Sequence, residues 1–401
     1  MVGSVAQRWR LLSGQYNWKK LLNPLDKDLR PYIIHYGEMA QATYDTFNSD
    51  KESKYAGSSR YSRKNLFAMV GLTLGHPYRY TCTKYVYAMS RVGVPESFIF
   101  KSSSKEAWCQ QSNWMGYVAV ATDKAKVALG RRDILVAWRG TVQELEWVKD
   151  FDFPLTSAAK ILGKEGNPQV HRGWLSIYTS DDPHTRFNKV SAREQVLTEV
   201  KRLVEQFKNE EISITITGHS LGAALGTLNA ADIMANVLNK RLDMSKKPCP
   251  VTAFLFASPH VGDFQFRNVV QSMKNLHFLR VKNVPDIVPY YPMFGYTDVG
   301  EELVIDTRKS NFLKSPGNFT TWHNLETYLH GIAGTQGPQR AFHLDVKRDI
   351  ALVNKSIDGL KEEYMVPASW WCEKNKGMVQ QNDGSWKLED HQNDDSEEVD
   401  Y

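Results

Sequence analysis

The segment Gly218-His219-Ser220-Leu221-Gly222 is the part of this sequence best suited to covalent chemistry. It fits the pattern G-x-S-x-G and lies between a predicted strand at 212–217 and a predicted helix that begins after Ser220. A sharp strand-to-helix turn strains the backbone of the serine, and the small neighbours Gly218 and Gly222 permit that strain. The pattern predicts a nucleophile elbow in which Ser220 attacks an ester carbonyl. In an ordinary glycine-flanked turn the same serine would be inert.

A serine hydroxyl needs a histidine to accept its proton and a carboxylate to orient that histidine. In this arrangement the acid precedes the histidine along the chain. Asp286 follows a predicted strand that ends at Val281 and is the predicted acid, whereas Asp263 is an alternative that could simply cap a helix. His323 precedes a predicted helix and is the favoured base. His330 lies two helical turns deeper and is the alternative, although that position is typical of a packed histidine.

The negative charge that develops on the ester oxygen requires two hydrogen-bond donors. The amide of Leu221 is one candidate, because the first turn of a helix favours negative charge. The second donor is expected on a loop that follows an earlier strand. Thr141 ends Arg139-Gly140-Thr141, directly after the apolar run at 133–138, so its amide is the second candidate. An ordinary turn is the other interpretation of this tripeptide.

The segments around these residues alternate between predicted helices and predicted strands. A capping-box signature at 191–194 opens a helix, and the apolar run at 133–138 is typical of a strand buried on both faces. Two paired strands are predicted on either side of a turn at 122–126. Further strands are predicted at 212–217, 251–256 and 277–281. This alternation favours an α/β fold with a mostly parallel central sheet that is flanked by helices.

The composition predicts three regions along the 401 residues. Residues 1–110 are predicted to form an N-terminal helical flank that packs on the main domain. Residues 111–377 are predicted to form the α/β catalytic domain. Residues 378–401 turn polar and acidic and are predicted to be a disordered tail.

The net charge of +5 is unevenly distributed, since residues 389–401 contain seven acids and no Lys or Arg. The rest of the chain is therefore more basic than the total suggests. A basic body could be attracted to nucleic acid or to an anionic membrane, but a solvated surface is the simpler interpretation. No concentrated basic stripe or reader motif is present, so no nucleic-acid partner is predicted.

The four cysteines are far apart, which fits reduced thiols in a cytoplasmic protein. The N-terminal residues lack the apolar core of a signal peptide, and no apolar stretch is long enough for a transmembrane helix. Cytoplasmic location with peripheral association at membranes is therefore expected. The sequence contains no convincing cluster of metal ligands, so neither a metal nor a cofactor is predicted. It leaves the oligomeric state open.

Six motifs together resemble the class 3 lipase family and, within it, the plant phospholipase A1 group of cytosolic acylhydrolases. They are Ala137-Trp138-Arg139-Gly140-Thr141, His171-Arg172-Gly173-Trp174, Thr217-Gly218-His219-Ser220-Leu221-Gly222-Ala223-Ala224-Leu225, Phe256-Ala257-Ser258-Pro259, Asn283-Val284-Pro285-Asp286 and His323-Asn324-Leu325-Glu326. The resemblance implies an α/β-hydrolase fold, a triad of Ser220, Asp286 and His323, and Thr141 and Leu221 as oxyanion donors. It also implies cleavage of the sn-1 acyl ester of a phospholipid through a serine acyl-enzyme, with release of a fatty acid and a 2-acyl-lysophospholipid.

Lipases of this family carry a lid just after the Arg-Gly-Thr loop. In the corresponding segment, 143–153, Leu145, Trp147 and Phe151 fall largely on one side of a predicted short helix. This pattern predicts a lid that meets the lipid surface, and a helix packed against the core is the alternative. A second apolar group lies between the acid and the base and is predicted either to line the acyl groove or to pack within a loop. It consists of Tyr290, Tyr291, Met293, Phe294 and Tyr296.

Two other functions are compatible with the same residues. A neutral-lipid lipase acting on mono-, di- or triacylglycerols, or a general carboxylesterase, could use the same triad, because specificity resides in the lid and the groove. A non-catalytic signalling protein could retain the fold alone. The complete set of serine, aspartate and histidine argues against that second alternative.

Overall fold

The computed structural model describes residues 4–100, 112–141, 154–238, 249–371 and 378–394. Within these residues the strands are β1 (Tyr80–Ala88), β2 (Asn113–Ala121), β3 (Arg132–Trp138), β4 (Leu155–Ser157), β5 (Gln169–His171), β6 (Ile212–His219), β7 (Val251–Phe256), β8 (Leu276–Asn283), β9 (Glu301–Ile305), β10 (Met378–Gln380) and β11 (Trp386–Leu388). The α-helices are α1 (Val5–Leu12), α2 (Leu29–Thr46), α3 (Leu66–Met69), α4 (Asp123–Leu129), α5 (Ala159–Leu162), α6 (Arg172–Thr179), α7 (Ala192–Gln206), α8 (Leu221–Ile233), α9 (Phe264–Ser272), α10 (Phe319–His323) and α11 (Leu325–Gly334). None of the helices in these ranges is long and apolar enough to cross a membrane.

The central sheet has the strand order β1-β2-β3-β6-β7-β8-β9. Strands β3, β6, β7, β8 and β9 run parallel, whereas β1 and β2 are antiparallel to their neighbours. Gly218 near the end of β6 lies opposite Trp138 in β3 and Leu255 in β7. The carboxyl ends of these parallel strands therefore meet at one edge of the sheet, where sites in α/β folds form.

Both faces of the sheet are covered by apolar cores. Alternate residues of β3 divide between them, with Val136 and Trp138 in one core and Leu135 and Ala137 in the other. Helices α7 and α8 contribute to the first core, and α2 and α11 contribute to the second. The predicted α/β class with a mostly parallel sheet is confirmed by this arrangement.

The first 110 residues contribute more than helices, because β1 pairs with β2 as the edge strand of the central sheet. The expected boundary near residue 110 therefore separates two hydrogen-bonded strands. The predicted strand after the turn at 122–126 is wrong, since these residues form α4. The side chain of Thr122 accepts a hydrogen bond from the amide of Ala125, and Gly130 ends the helix at a φ of 78°. The cap and the glycine stop outweigh the alternation of Val127 and Leu129.

Part of the acidic segment is ordered, contrary to the prediction of a disordered tail from residue 378. Strands β10 and β11 form a hairpin, and the chain then docks on the N-terminal region. The amide of Gln392 donates to the carbonyl of Arg60 at 2.8 Å, and Arg63 forms an ion pair of 2.6 Å with Asp394. Arg63 therefore compensates the negative charge of Asp394. From composition alone, that charge would be expected only to repel the other acidic residues of the segment. Residues 395–401 lie outside the described ranges.

Candidate active site

Ser220 occupies the sharp turn between β6 and α8. Its backbone has a φ of 57° and a ψ of −124°, a conformation that few residues other than glycine adopt. The amide of Ser220 donates to the carbonyl of Phe256 in β7 at 2.9 Å, and its carbonyl accepts from the amide of Ala223 at 2.9 Å. These bonds hold the strained residue in place, so the strand-turn-helix geometry predicted from G-x-S-x-G is present.

The two glycines of the elbow are required by close backbone approach. A Cβ atom on Gly218 would lie 2.3 Å from the carbonyl oxygen of Gly222. A Cβ atom on Gly222 would lie 2.3 Å from the carbonyl oxygen of Trp138, at the end of β3. Any side chain at either position would therefore force the elbow away from its neighbours. The same contact brings the start of the loop after β3 against Gly222, at the beginning of α8.

The structure brings the predicted acid and base together. Asp286 follows β8, and its Oδ2 lies 2.8 Å from Nδ1 of His323, the last residue of α10. Oδ1 of Asp286 accepts a hydrogen bond from the amide of Val288 at 3.0 Å. Because Nδ1 donates to the carboxylate, Nε2 of a neutral His323 carries the lone pair that can accept a proton. The Asp286 side chain is fully buried, which strengthens this interaction.

Tyr328 is a third member of this cluster that the sequence reasoning missed. Its hydroxyl, on α11, donates to Oδ2 of Asp286 at 2.6 Å. Burial, and next the charge of Asp286, raise the pKa of Tyr328 well above its usual value, so the hydroxyl keeps its proton and remains a donor. The carboxylate of Asp286 is therefore fixed by three donors. No sequence signal other than the position of Tyr328 five residues after His323 pointed to this role.

His219 links the elbow to the backbone of His323. Its Nε2 lies 2.7 Å from the carbonyl oxygen of His323, and its Nδ1 lies 2.7 Å from the hydroxyl of Tyr44 on α2. Burial, with a smaller contribution from His323, lowers the pKa of His219 well below its usual value, so the ring is neutral. Since a carbonyl only accepts, Nε2 of His219 donates and Nδ1 accepts from Tyr44. This bridge between α2 and His323 was also missed, because its members are far apart in sequence.

The candidate oxyanion donors lie on either side of the elbow. The amide of Leu221 is in the first turn of α8, where amides have no partner within the helix. A Cβ atom on Gly140 would lie 2.6 Å from the carbonyl oxygen of His219, so the loop that carries Thr141 touches the residue before Ser220. Thr141 itself is buried. This arrangement is compatible with two donors that converge near the serine.

Arg139 holds the loop before Thr141, a role that the sequence reasoning missed. Its guanidinium is fully buried, donates to the carbonyl oxygens of Gly140 at 2.7 Å and Trp114 at 3.0 Å, and lies 3.9 Å from the ring centre of Phe47. Burial lowers the pKa of Arg139 to about 9, so the group stays charged at neutral pH. Its charge is directed at backbone carbonyls, which fix the path of the chain toward Thr141.

Comparison with known proteins assigns these residues to a family. The model of the family described as lipase (class 3) matches residues 135–296. Phospholipase A1-IIgamma of Arabidopsis thaliana is 58% identical over 400 residues, which cover 99% of this chain and 96% of the relative. The chain belongs to the class 3 lipase family. Within that family it falls in the plant phospholipase A1-II group.

Two further plant relatives carry names of the same group. Phospholipase A1-IIbeta of Arabidopsis thaliana is 55% identical and covers 97% of this chain and 94% of its own length. Phospholipase A1-II 1 of Oryza sativa subsp. indica is 53% identical, with 98% of both chains covered. Among solved structures, the LIP2 lipase of Yarrowia lipolytica aligns with a TM-score of 0.46 at 18% identity, over 71% of this chain and 82% of that chain. The plant relatives span His323 as well, which lies beyond the family match.

The alternative acid and base of this class 3 lipase have other partners. Asp263 caps α9, where its Oδ1 accepts from the amide of Phe266 at 2.8 Å. His330 lies inside α11, and its Nε2 is 2.8 Å from Oγ of Ser310. Burial lowers the pKa of His330 to about 4. Asp263 is therefore a helix cap, and His330 is a packed histidine. Within the described ranges, no group of three or more His, Cys, Asp or Glu side chains is arranged to hold a metal ion.

Burial of His330 predicts a specific dependence of stability on pH. The pKa of His330 is about 4 in the native state and about 6.5 when unfolded, so the unfolded state binds the proton first as the pH falls. Stability that is fully present above pH 6.5 is then lost toward pH 4, by up to about 1.4 kcal/mol per pH unit. The variant His330→Gln should flatten the fall in the free energy of unfolding between pH 7 and pH 5, measured by urea denaturation. The exposed His343, replaced by Gln, is the control; equal slopes for all three proteins would contradict the prediction.

Removal of the Tyr44 hydroxyl should weaken both the fold and the reaction. Tyr44→Phe leaves Nδ1 of His219 buried without its donor, which costs about 1–3 kcal/mol. Because His219 also holds the backbone of His323, we expect kcat on a soluble ester to fall about tenfold. Tyr32→Phe is the matched control: it removes a buried hydroxyl of the same helix that bonds Ser13 and Arg131, at the opposite edge of the sheet. A comparable loss of kcat in both variants would mean that Tyr44 acts only through stability.

The two apolar groups predicted from the sequence have different outcomes. Leu145, Trp147 and Phe151, the candidate lid, lie outside the described residues. The group between the acid and the base is described, and much of it points outward. Met293 is 56% exposed and Phe294 is 88% exposed, so these two side chains do not line an enclosed groove.

Proposed function

We propose that this class 3 lipase is an acylhydrolase that cleaves the sn-1 acyl ester of phospholipids at a membrane surface. The observation that carries the proposal is the hydrogen bond between Nδ1 of His323 and Asp286. The carbonyl of His323 also accepts a hydrogen bond from His219, the residue before the strained Ser220. This arrangement supplies a nucleophile, a base and an orienting acid without a cofactor. The phospholipid substrate is supported by the plant relatives. They are named phospholipase A1-II, and this chain aligns with nearly their whole length.

The first half of the proposed reaction forms an acyl-enzyme. Nε2 of His323 takes the hydroxyl proton as Ser220 Oγ attacks the carbonyl carbon of the ester. Negative charge moves to the carbonyl oxygen, where the amides of Thr141 and Leu221 donate to it. The tetrahedral intermediate then collapses as His323 returns the proton to the glycerol oxygen. The 2-acyl-lysophospholipid leaves, and the fatty acyl group remains on Ser220.

The second half releases the fatty acid. Water enters next to the acyl-enzyme, and His323 takes its proton while the water oxygen attacks the acyl carbon. The same two amides stabilise the second oxyanion, and the bond to Ser220 breaks as its oxygen regains a proton. Asp286 orients the histidine throughout and stabilises it while it is positively charged. Tyr328 and Val288 keep the carboxylate oriented during both steps.

Product analysis tests the proposed substrate and position. Phosphatidylcholine with different acyl chains at its two ester positions is incubated with the full chain, and the released fatty acids are identified by mass spectrometry. The proposal predicts the sn-1 chain as the first product, with a 2-acyl-lysophospholipid. Release of the sn-2 chain would refute the position, and faster release from triolein would favour a neutral-lipid lipase. Failure to react with a fluorophosphonate probe would favour a non-catalytic protein.

We further propose a cytoplasmic location with peripheral contact at membranes. The thiol of Cys82 is buried in the core and forms no disulfide. Burial raises the pKa of this thiol far above its usual value, which keeps it protonated and unreactive. A buried, unreactive thiol is compatible with a reducing compartment. Fractionation of a fluorescently tagged chain between cytosol and membranes tests this location.

A further inference from the structure

An apolar surface lies on the loop that follows Asp286. Along residues 287–297, the exposed fractions are 41% for Ile287, 43% for Tyr290, 56% for Met293 and 88% for Phe294. Single exposed apolar residues are common on protein surfaces. Four of them on one short loop, beside the proposed active site, mark an interaction surface instead. We call residues 287–297 the apolar loop.

The apolar loop is held rigidly from inside. The amide of His260 donates to the carbonyl of Tyr291 at 2.8 Å, and Nδ1 of His260 lies 2.8 Å from the carbonyl oxygen of Pro292. The amide of Thr297 donates to the carbonyl of Gly262 at 2.8 Å. Val288 is fully buried and anchors the other end. The loop therefore cannot collapse to cover Met293 and Phe294, which remain presented to the surroundings.

The composition of the apolar loop favours a lipid surface as its partner. Residues 287–297 contain no Asp, Glu, Lys, Arg or His, so entry into a membrane interface would desolvate no charged side chain of the loop itself. Lys282 is a charged neighbour, with its Nζ 3.7 Å from the ring centre of Tyr290. They contain three tyrosines, and aromatic side chains with a polar tip are enriched at the level of lipid headgroups. Apolar side chains such as those of Met293 and Phe294 are of the type that insert between lipids just below that level.

The position of the apolar loop explains why contact with lipid would serve the proposed reaction. Asp286 immediately precedes it and is hydrogen-bonded to His323, so the loop and the proposed site form one unit. The sn-1 ester of a membrane phospholipid lies near the boundary between headgroups and acyl chains. A loop that enters this boundary would bring Ser220 close to the ester. We infer that the apolar loop, with Phe294 and Met293 at its tip, inserts into the phospholipid surface that holds the substrate; this inference rests on the proposed function.

Binding to vesicles of a diether phosphatidylcholine tests the inference. These lipids have no ester, so binding is measured without hydrolysis, and their zwitterionic headgroup limits attraction through net charge. Phe294→Ser should weaken co-sedimentation of the full chain about tenfold, and Met293→Ser combined with Phe294→Ser should weaken it further. Phe294→Trp should bind at least as tightly as the natural chain. Thermal unfolding of each variant checks that the fold is retained.

Leu74→Ser is the matched control. Leu74 is 90% exposed and precedes β1, which starts at Tyr80 opposite Ala121, at the edge of the sheet away from Ser220. This variant should bind vesicles like the natural chain. The inference is overturned if Phe294→Ser binds equally well, or if Leu74→Ser loses as much affinity. It is also overturned if the apolar loop proves to bind a protein and the variants lose that partner while keeping vesicle affinity.

Failure of the proposed function can be distinguished from failure of this inference. One outcome is that the natural chain binds ether-lipid vesicles through Phe294 but releases no fatty acid from ester phosphatidylcholine. That result would support the inference about the apolar loop and refute the proposed reaction. If the chain hydrolyses ester phosphatidylcholine while Phe294→Ser keeps its full vesicle affinity, the reaction stands and the loop inference falls.

Discussion

Ser220→Ala should reduce kcat/KM by about 10⁴- to 10⁶-fold on both a soluble ester and phosphatidylcholine vesicles. The substitution removes the proposed attacking oxygen and leaves the proposed base, acid and oxyanion donors in place. Ser220 Oγ is buried and has no hydrogen-bond partner among the described residues, so its loss leaves no orphaned group. We therefore expect the free energy of unfolding to change by less than about 1 kcal/mol.

Two measurements make this expectation sharp. A fluorophosphonate probe should label the natural chain at Ser220 and should not label the Ala variant. Ser272→Ala is the control, because among the described residues the Ser272 hydroxyl bonds within α9, to the carbonyl of Val269. It should keep full activity and full labelling. Turnover of Ser220→Ala within about a hundredfold of the natural chain would place the nucleophile at another residue.

Asp286→Asn should lower kcat/KM by about 10⁴-fold with little change in shape. Oδ2 of Asp286 receives hydrogen bonds from His323 and Tyr328, and Oδ1 receives one from the amide of Val288. An asparagine has only one oxygen. If its amide nitrogen faces His323, the ring must adopt the other tautomer and its Nε2 cannot act as a base. If the nitrogen faces Val288, two N–H groups oppose each other in a buried site and destabilise the fold.

Asp263→Asn is the matched control for the acid. Asn caps a helix about as well as Asp does, so the bond from the amide of Phe266 is retained. We expect activity within about twofold of the natural chain and an unfolding free energy within about 0.5 kcal/mol. Steady-state kinetics at neutral pH on a soluble ester compare the two variants. A greater loss in Asp263→Asn than in Asp286→Asn would reverse the assignment of the acid.

The secondary structure was predictable where local signals agreed with one another. The capping box at Ser191 begins α7, and Ser191 accepts from the amide of Glu194 as the motif requires. Strand β6 was predicted from the alternation of isoleucines with polar residues. The prediction failed at Val127, where alternation suggested a strand and a threonine cap produced α4. It also missed β1, because the polar residues Thr81, Thr83 and Lys84 interrupt the apolar pattern of that segment.

By itself, the sequence determined the turn at Ser220 and the residue types of the proposed acid and the proposed base. These are local properties: glycine spacing, strand and helix periodicity, and the order of residues along the chain decide them. The tertiary structure alone decided which side chains surround those residues. Tyr44 reaches the site from α2, Arg139 from the loop after β3 and Tyr328 from α11, and the tip at Phe294 is exposed because His260 braces its loop. Such contacts depend on how separate elements pack against a common sheet, and no periodicity within a single segment records that packing.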